Sequence, residues 1–299
     1  MREQASAPSA EMAPRVVPFP SVIGAELLGI DIARGVDEPS LSIVVEALHK
    51  HGVIVIRRQE LLPRDHIAFA RRFGNIRTSF YNRYAVPGYP ELTVVSNKKR
   101  QGEAIGIADA GMLWHSDGSY LKTPDMYSFL HGIEIPRLDG KPLGETWFTS
   151  AAHAWDALPA EMKKRVAPLR ACHSFEHHLR KKENAGTLKR APLDEAQKAT
   201  LTDVEHPVVR THPVTGRKCL YVTEGHTKCI VGMPATESDS LLHALWKHIK
   251  RPDFHYHHSW CEGDFVIWDN CAVQHLAIFD YGDVPRRLHR IGTVGGVPQ

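Results

Sequence analysis

The chain has 299 residues, 42% of them hydrophobic and 24% charged, which is enough to bury a core without disulfide or metal staples. A formal net charge of +3 is too small to point to a nucleic-acid partner, and no apolar run approaches the roughly 18 residues of a membrane span. The opening MREQASAPSAEMAPRVVPFP lacks the apolar stretch of a secretory signal, so residues 1 to about 15 read as a flexible tail and residues 16–299 as one domain. Five cysteines, at 172, 219, 229, 261 and 271, show no CxxC spacing and fit reduced thiols in the cytoplasm.

In chain order, PSLSIVVEALHKHG carries Leu41, Val44, Val45 and Leu48 at helical spacing, with Gly52 as a stop. VIVIR (53–57) then reads as a buried strand. Pro63 opens a second helix that closes on Gly74, and MYSFLHGIEI (126–135) is a long strand. TSAAHAWDALPAEMKKRV is helical in composition, broken at Pro159. The segment 179–195, LRKKENAGTLKRAPLDE, reads as an exposed loop. TESDSLLHALWKHIK predicts an amphipathic helix with Thr236 and Asp239 as a capping box. Three β-rich runs close the chain: FHYHHSW, DFVIWDN and RRLHRIGTV. Strands broken by helical insertions favour an all-β core, mainly β with flanking helices outside it, over alternating β/α units.

The chemistry concentrates in LWHSDGSY. On an extended chain, alternation sends His115 and Asp117 to one side and Ser116 to the other. One imidazole and one carboxylate make two ligands of a metal site, and His275, after DFVIWDN, offers a third. Two histidines and a carboxylate form the facial triad that leaves half an octahedron open for Fe(II) oxygen chemistry. The chain has 19 histidines, and HSFEHH (173–178) and HYHH (255–258) also offer ligands; a solvated strand face or loop is the preferred reading of those. In PRRLHRIGT, Arg286 and Arg290 point the same way on a strand, and inward guanidinium groups require anions. A dicarboxylate cosubstrate provides one, its far carboxylate taking the fork of Arg286.

His115-x-Asp117, then His275, then Arg286 resembles the pattern of Fe(II)/2-oxoglutarate-dependent dioxygenases, specifically the taurine dioxygenase and 2,4-dichlorophenoxyacetate dioxygenase group. The likeness runs in order through HGVIVIRRQELLPRDHIAFARRFG, LWHSDGSY, GETWFTSAAHAWDALP, THPVTGRKCLYVTEGHTKCIVGM and GDFVIWDN. It implies a double-stranded β-helix (a jelly roll, cupin-like), with Fe(II) on His115, Asp117 and His275, and O2 and 2-oxoglutarate as cosubstrates. It also implies that Thr146, in LGETW, joins Arg286 on 2-oxoglutarate. Arg290 corresponds to the family's holder of the substrate acid; His226, Leu179 and Tyr81 are the further substrate positions. Gly111 and Met112 stand where the taurine enzyme has a small amide, and His226 where it has phenylalanine, so the resemblance does not carry taurine over as substrate. Asp117 speaks against a halogenase.

The expectation is hydroxylation of an unactivated C–H bond of a small organic acid, with succinate and CO2 released. No nucleic-acid or membrane partner is expected, and a homo-oligomer is left open. A secondary-metabolism oxidase, performing desaturation or ring oxidation, fits the same scaffold. The rival outside enzymes is a cupin-like binding protein with a structural Zn2+, against which Arg286 and Thr146 speak, because structural zinc is usually closed by four ligands.

Overall fold

The runs VIVI and FVIW are apolar at every position, and the architecture explains why. In the computed structural model, which describes residues 13–78, 82–190 and 192–299, the strands Val53–Ile56 and Phe265–Asp269 pair antiparallel inside the largest sheet. Alternate residues leave a strand on opposite faces. Ile54, Ile56, Phe265 and Ile267 enter one hydrophobic cluster; Val53, Val55, Val266 and Trp268 enter another. A sheet covered on both faces leaves no position for a polar residue.

That sheet has eight strands in the order Arg15–Pro18, Ala25–Leu28, Val53–Ile56, Phe265–Asp269, Asp125–Glu134, Arg287–Val294, Tyr89–Ser96 and Ala85–Val86. Arg15 already belongs to a strand, so the tail expected through residue 15 ends earlier; its first twelve residues lie outside the described ones. Two helices cover the outer face. Glu38–His51 starts on Asp37, whose carboxylate accepts from Ser40 N at 2.9 Å, and ends at Gly52 with φ +71°. A Cβ at Gly52 would also lie 3.0 Å from the Val273 side chain. Pro63–Arg71 follows, and Leu41, Val44, Leu48, Ile67 and Phe69 of the two helices seal the outer cluster.

The inner face meets a three-stranded sheet in which Thr146–Ser150 lies between His255–His258 and Val273–Ala277. Phe148 and Val273 from this sheet pack on Leu130, Trp268 and Leu288 from the larger one. This is the jelly-roll core expected, with helices outside it. LWHSDGSY itself is not a strand: its β pairing is one antiparallel bridge, His115 with His275, followed by turns. Helices Ala151–Asp156, Ala160–Val166 and Ala235–Ile249 form a third cluster with Val209 and Leu220, and Pro159 separates the first two as expected.

Three expectations are corrected. The last helix begins at Ala235, so Thr236 lies inside its first turn; Pro234 occupies the cap without a side-chain hydrogen bond, and no Thr236–Asp239 capping box forms. Residues 179–195 are not simply a loop, because Phe175–Asn184 is a helix capped by Ser174, and its Lys182 is 1% exposed. The histidine runs are only partly solvated: His257 is exposed, but His173, His178 and His258 are buried.

Candidate metal centre and active site

The bridge between His115 and His275 brings two segments distant in sequence into register. His115 N donates to His275 O at 3.1 Å and His275 N to His115 O at 2.9 Å. Gly111, at φ +81°, lets the preceding turn lie against the same strand; a Cβ there would stand 3.1 Å from Ala277 Cβ. His115 Nε2 lies 3.6 Å from Asp117 Oδ1, and His275 Nε2 lies 3.9 Å from Asp117 Oδ2. One ligand atom from each residue falls within 4.8 Å of the others, a spacing that could hold one metal ion.

The donor set fits such an ion chemically. His115 Nδ1 faces two carbonyls, Leu113 O at 2.8 Å and His275 O at 3.0 Å, so it carries the proton and Nε2 keeps its lone pair. Burial, and then neighbouring His115, push the His275 imidazole well below its ordinary range, which keeps it neutral. Burial alone would raise the Asp117 carboxyl, but Arg290, then His275 and His115, overturn this and leave it well below the usual carboxylate range. Asp117 is therefore an anion, held by Ser128 Oγ at 2.6 Å and Arg290 Nη2 at 2.8 Å on Oδ2.

The three residues open onto a cavity of about 320 Å³ that also takes in Thr146, His226, Arg286 and Arg290. Arg286 is 3% exposed and, among the described residues, pairs with no carboxylate. Its Nη2 donates to Gly144 O at 3.0 Å, its guanidinium lies over the Tyr281 ring at 5.5 Å, and its Nε has no hydrogen-bond partner. A Cβ at Gly144 would stand 2.7 Å from Arg286 Nε, so the glycine of LGETW makes room for this guanidinium. Thr146 Oγ1 accepts from Trp260 Nε1 at 3.0 Å, which leaves its own O–H to donate elsewhere. A buried cation and a hydroxyl donor lining the same cavity make a candidate anion site.

Arg290, expected to face a substrate acid, already meets two carboxylates: its Nη2 is 2.8 Å from both Asp117 Oδ2 and Asp125 Oδ2. Asp125 also takes Arg77 Nε on Oδ1 at 2.5 Å. His226 lines the cavity as expected, with Nδ1 3.0 Å from Ser119 Oγ. Leu179 does not; from the same helix Phe175 and His178 do, while Leu179 packs against the cluster of Tyr84, Ile107 and Phe175. Tyr81 lies outside the described residues. Sequence reasoning missed Asp125, Arg77, Tyr120 and Asn270.

A second group, His212, Asp269 and Cys271, also has metal-like spacing. His212 Nδ1 accepts from Val214 N and Thr215 N, so its Nε2 carries the proton and donates to Asp269 Oδ2 at 2.7 Å. No lone pair is left on that ring for a metal, and the pair braces the turn after Phe265–Asp269.

A jelly roll with two histidines, one aspartate and an adjoining anion site defines the class as a non-haem metal-dependent oxygenase. Residues 15–291 match the model of the taurine catabolism dioxygenase TauD, TfdA family. The chain belongs to that family and is a 2-oxoglutarate-dependent dioxygenase; the family uses Fe(II), 2-oxoglutarate and O2. It is 34% identical to the alpha-ketoglutarate-dependent 2,4-dichlorophenoxyacetate dioxygenase of Burkholderia sp. (strain RASC), over 84% of this chain and 84% of that one. It is 30% identical to pentalenolactone F synthase of Streptomyces arenae, over 87% and 88%. The crystal structure of AAD-2 in complex with Mn(II) and N-oxalylglycine superposes with a TM-score of 0.78 at 27% identity, covering 96% of this chain and 99% of that one. Among the described residues no helix is long and apolar enough to cross a membrane.

Proposed function

We propose that this enzyme hydroxylates an unactivated C–H bond of a small organic acid, releasing succinate and CO2, with His115, Asp117 and His275 as its iron ligands. The observation that carries the reading is Arg286: a buried guanidinium that pairs with no carboxylate among the described residues, on the wall of the cavity onto which the three ligands open. When bound, Fe(II) supplies the O2 chemistry that couples decarboxylation of 2-oxoglutarate to C–H oxidation. The chain's own groups bind and orient. Arg286 receives the far carboxylate of 2-oxoglutarate, and Thr146, fixed as a donor by Trp260, adds a second hydrogen bond to it.

Substrate lies, on this reading, with its acid toward Arg290 and its body against His226 and the cavity residues Phe175 and Tyr120. Leu179 supports that wall from behind rather than touching substrate. Free cysteines at all five positions fit a reducing compartment, and we place the enzyme in the cytoplasm. Similarity to pentalenolactone F synthase supports the alternative of a secondary-metabolism oxidation on the same scaffold. Anaerobic Fe(II) and 2-oxoglutarate should together produce a weak visible band. A panel of small carboxylates and sulfonates, scored by substrate-dependent succinate formation, should then include turnover substrates; absence of the band would refute the cosubstrate assignment.

A further inference from the structure

We propose that Asp125 determines the charge of the head group this cavity accepts, selecting a monoanion over a dianion. The proposal rests on the organic-acid reading and refines it. Asp125 is 2% exposed and lies between two cavity-lining guanidinium groups, with Arg77 Nε at 2.5 Å on one oxygen and Arg290 Nη2 at 2.8 Å on the other. It is a carboxylate built into the place where a substrate acid is expected.

The fold makes that place deliberately. Asp125 begins the strand Asp125–Glu134, beside Arg287–Val294, and Gly292 on the latter lies directly under its carboxylate. A Cβ at Gly292 would stand 2.3 Å from Asp125 Oδ2, so a glycine is needed for space rather than for its backbone angle. Arg77 is fixed by a second donation, to Thr123 O, and Arg290 by Ser128 Oγ at 3.3 Å.

Without metal, Arg77 and Arg290 face Asp125 and Asp117, and the group is balanced. Once a divalent cation engages Asp117, its negative charge is shared with that cation, and Arg77 and Arg290 have only Asp125 to themselves. One positive charge is left uncompensated, which suits one carboxylate or sulfonate. A dianion such as a phosphate monoester would bring an unpaired negative charge beside Asp125, and at a separation of a few ångströms like charges in a half-buried site are strongly disfavoured. Arg190, the other guanidinium on this wall, is engaged with Asp109 at 2.9 Å, which Lys182 also meets at 2.5 Å.

The test is anion titration of the Mn(II)-loaded protein with 2-oxoglutarate present, which occupies the Arg286 end without turnover. Acetate serves as the monoanion and sulfate as the dianion, read by calorimetry and by thermal shift. Asp125→Asn should bind sulfate at least tenfold more tightly than wild type, with a smaller gain for acetate. Arg77→Gln should weaken acetate at least fivefold, and the double variant should return acetate affinity toward wild type. That restoration is what a merely structural Asp125 would not produce. Equal sulfate affinity in wild type and Asp125→Asn, or a double variant weaker than either single one, would overturn the proposal. Failure of the reading of function is distinguishable: 2-oxoglutarate itself would then not bind. In that event sulfate is titrated into the metal-free protein, where Asp125→Asn should still bind more tightly than wild type.

Discussion

Asn270 grips Asp117 by its backbone N–H and C=O, on both sides of its Cα. Its Oδ1 accepts from Asp117 N at 2.8 Å and its Nδ2 donates to Asp117 O at 2.9 Å. The same Nδ2 donates to Asp125 O at 2.8 Å, and the Asn270 main-chain O accepts from Ser116 Oγ at 2.8 Å. One carboxamide at the end of Phe265–Asp269 thus ties down the proposed metal ligand Asp117 and the neighbour of Arg290 together. Replacing it with Ala leaves these backbone groups unpaired in a buried place, at about 1–3 kcal/mol each. Asn270→Ala should remain folded yet bind Mn(II) roughly 10–100-fold more weakly, as for other residues that orient metal ligands. Metal titration followed by circular dichroism on the same sample checks both halves. Unchanged metal affinity would show that the turn does not position Asp117.

On the proposed assignment His115, Asp117 and His275 are the three protein donors, so removing any one should abolish substrate-dependent succinate formation. The fold should persist, because the residues flanking the site are held by main-chain bonds such as His275 N to His115 O. Asp117→Ala carries a second expectation, since Arg290 would keep only Asp125. Stoichiometric metal binding and full turnover by Asp117→Ala would remove the aspartate from the ligand set.

Arg286→Ala should raise the 2-oxoglutarate requirement far more than the substrate requirement. Removing one member of a buried, charge-assisted pair while the other stays desolvated costs roughly 2–5 kcal/mol, or about 30-fold or more in affinity. Titration of the visible band, or of 2-oxoglutarate into the Mn(II) form, reads this directly. If the affinity is unchanged, the unpartnered Arg286 Nε points to some other ligand.

How much of this was legible in the sequence depends on the range of the interaction. The helix Glu38–His51 and the strands Val53–Ile56 and Phe265–Asp269 follow from local periodicity, and all three form as expected. The candidate metal cluster was reachable because His115 and Asp117 are near neighbours and the family pattern supplied His275. The partner of Arg290 was not, because Asp125 is 165 residues away and joins it only through strand pairing. Lys182 failed for the same reason: a lysine in a polar run is buried only because Asp109, 73 positions earlier, meets it. Leu179 shares a helix face with Phe175, four residues earlier, so periodicity alone does not separate them; tertiary packing of Leu179 on the cluster of Tyr84, Ile107 and Phe175 leaves Phe175 and His178 to line the cavity.

Acid should destabilise the protein through histidines remote from the metal. His173 is fully buried, neither ring nitrogen has a hydrogen-bond partner among the described residues, and its imidazole lies against Tyr221 and His206. Burial, then His206 beside it, push its pKa down to about 3 from an ordinary 6.5, and burial pushes His206 down to about 4. The sign follows from proton counting. Between these values and 6.5 the unfolded chain binds protons that the folded chain does not, so unfolding free energy falls as pH drops through 6.5. Each such histidine contributes a slope of up to ~1.4 kcal/mol per pH unit over that window. Urea midpoints should therefore decline steadily from pH 7 to pH 5. His173→Phe keeps a ring against Tyr221 and removes one titrating group, so it should flatten the decline while leaving the stability at pH 7.5 within about 1.5 kcal/mol of wild type. A slope identical to wild type in His173→Phe would mean that His173 is protonated in the folded protein, and that a partner for its charge exists in this cluster.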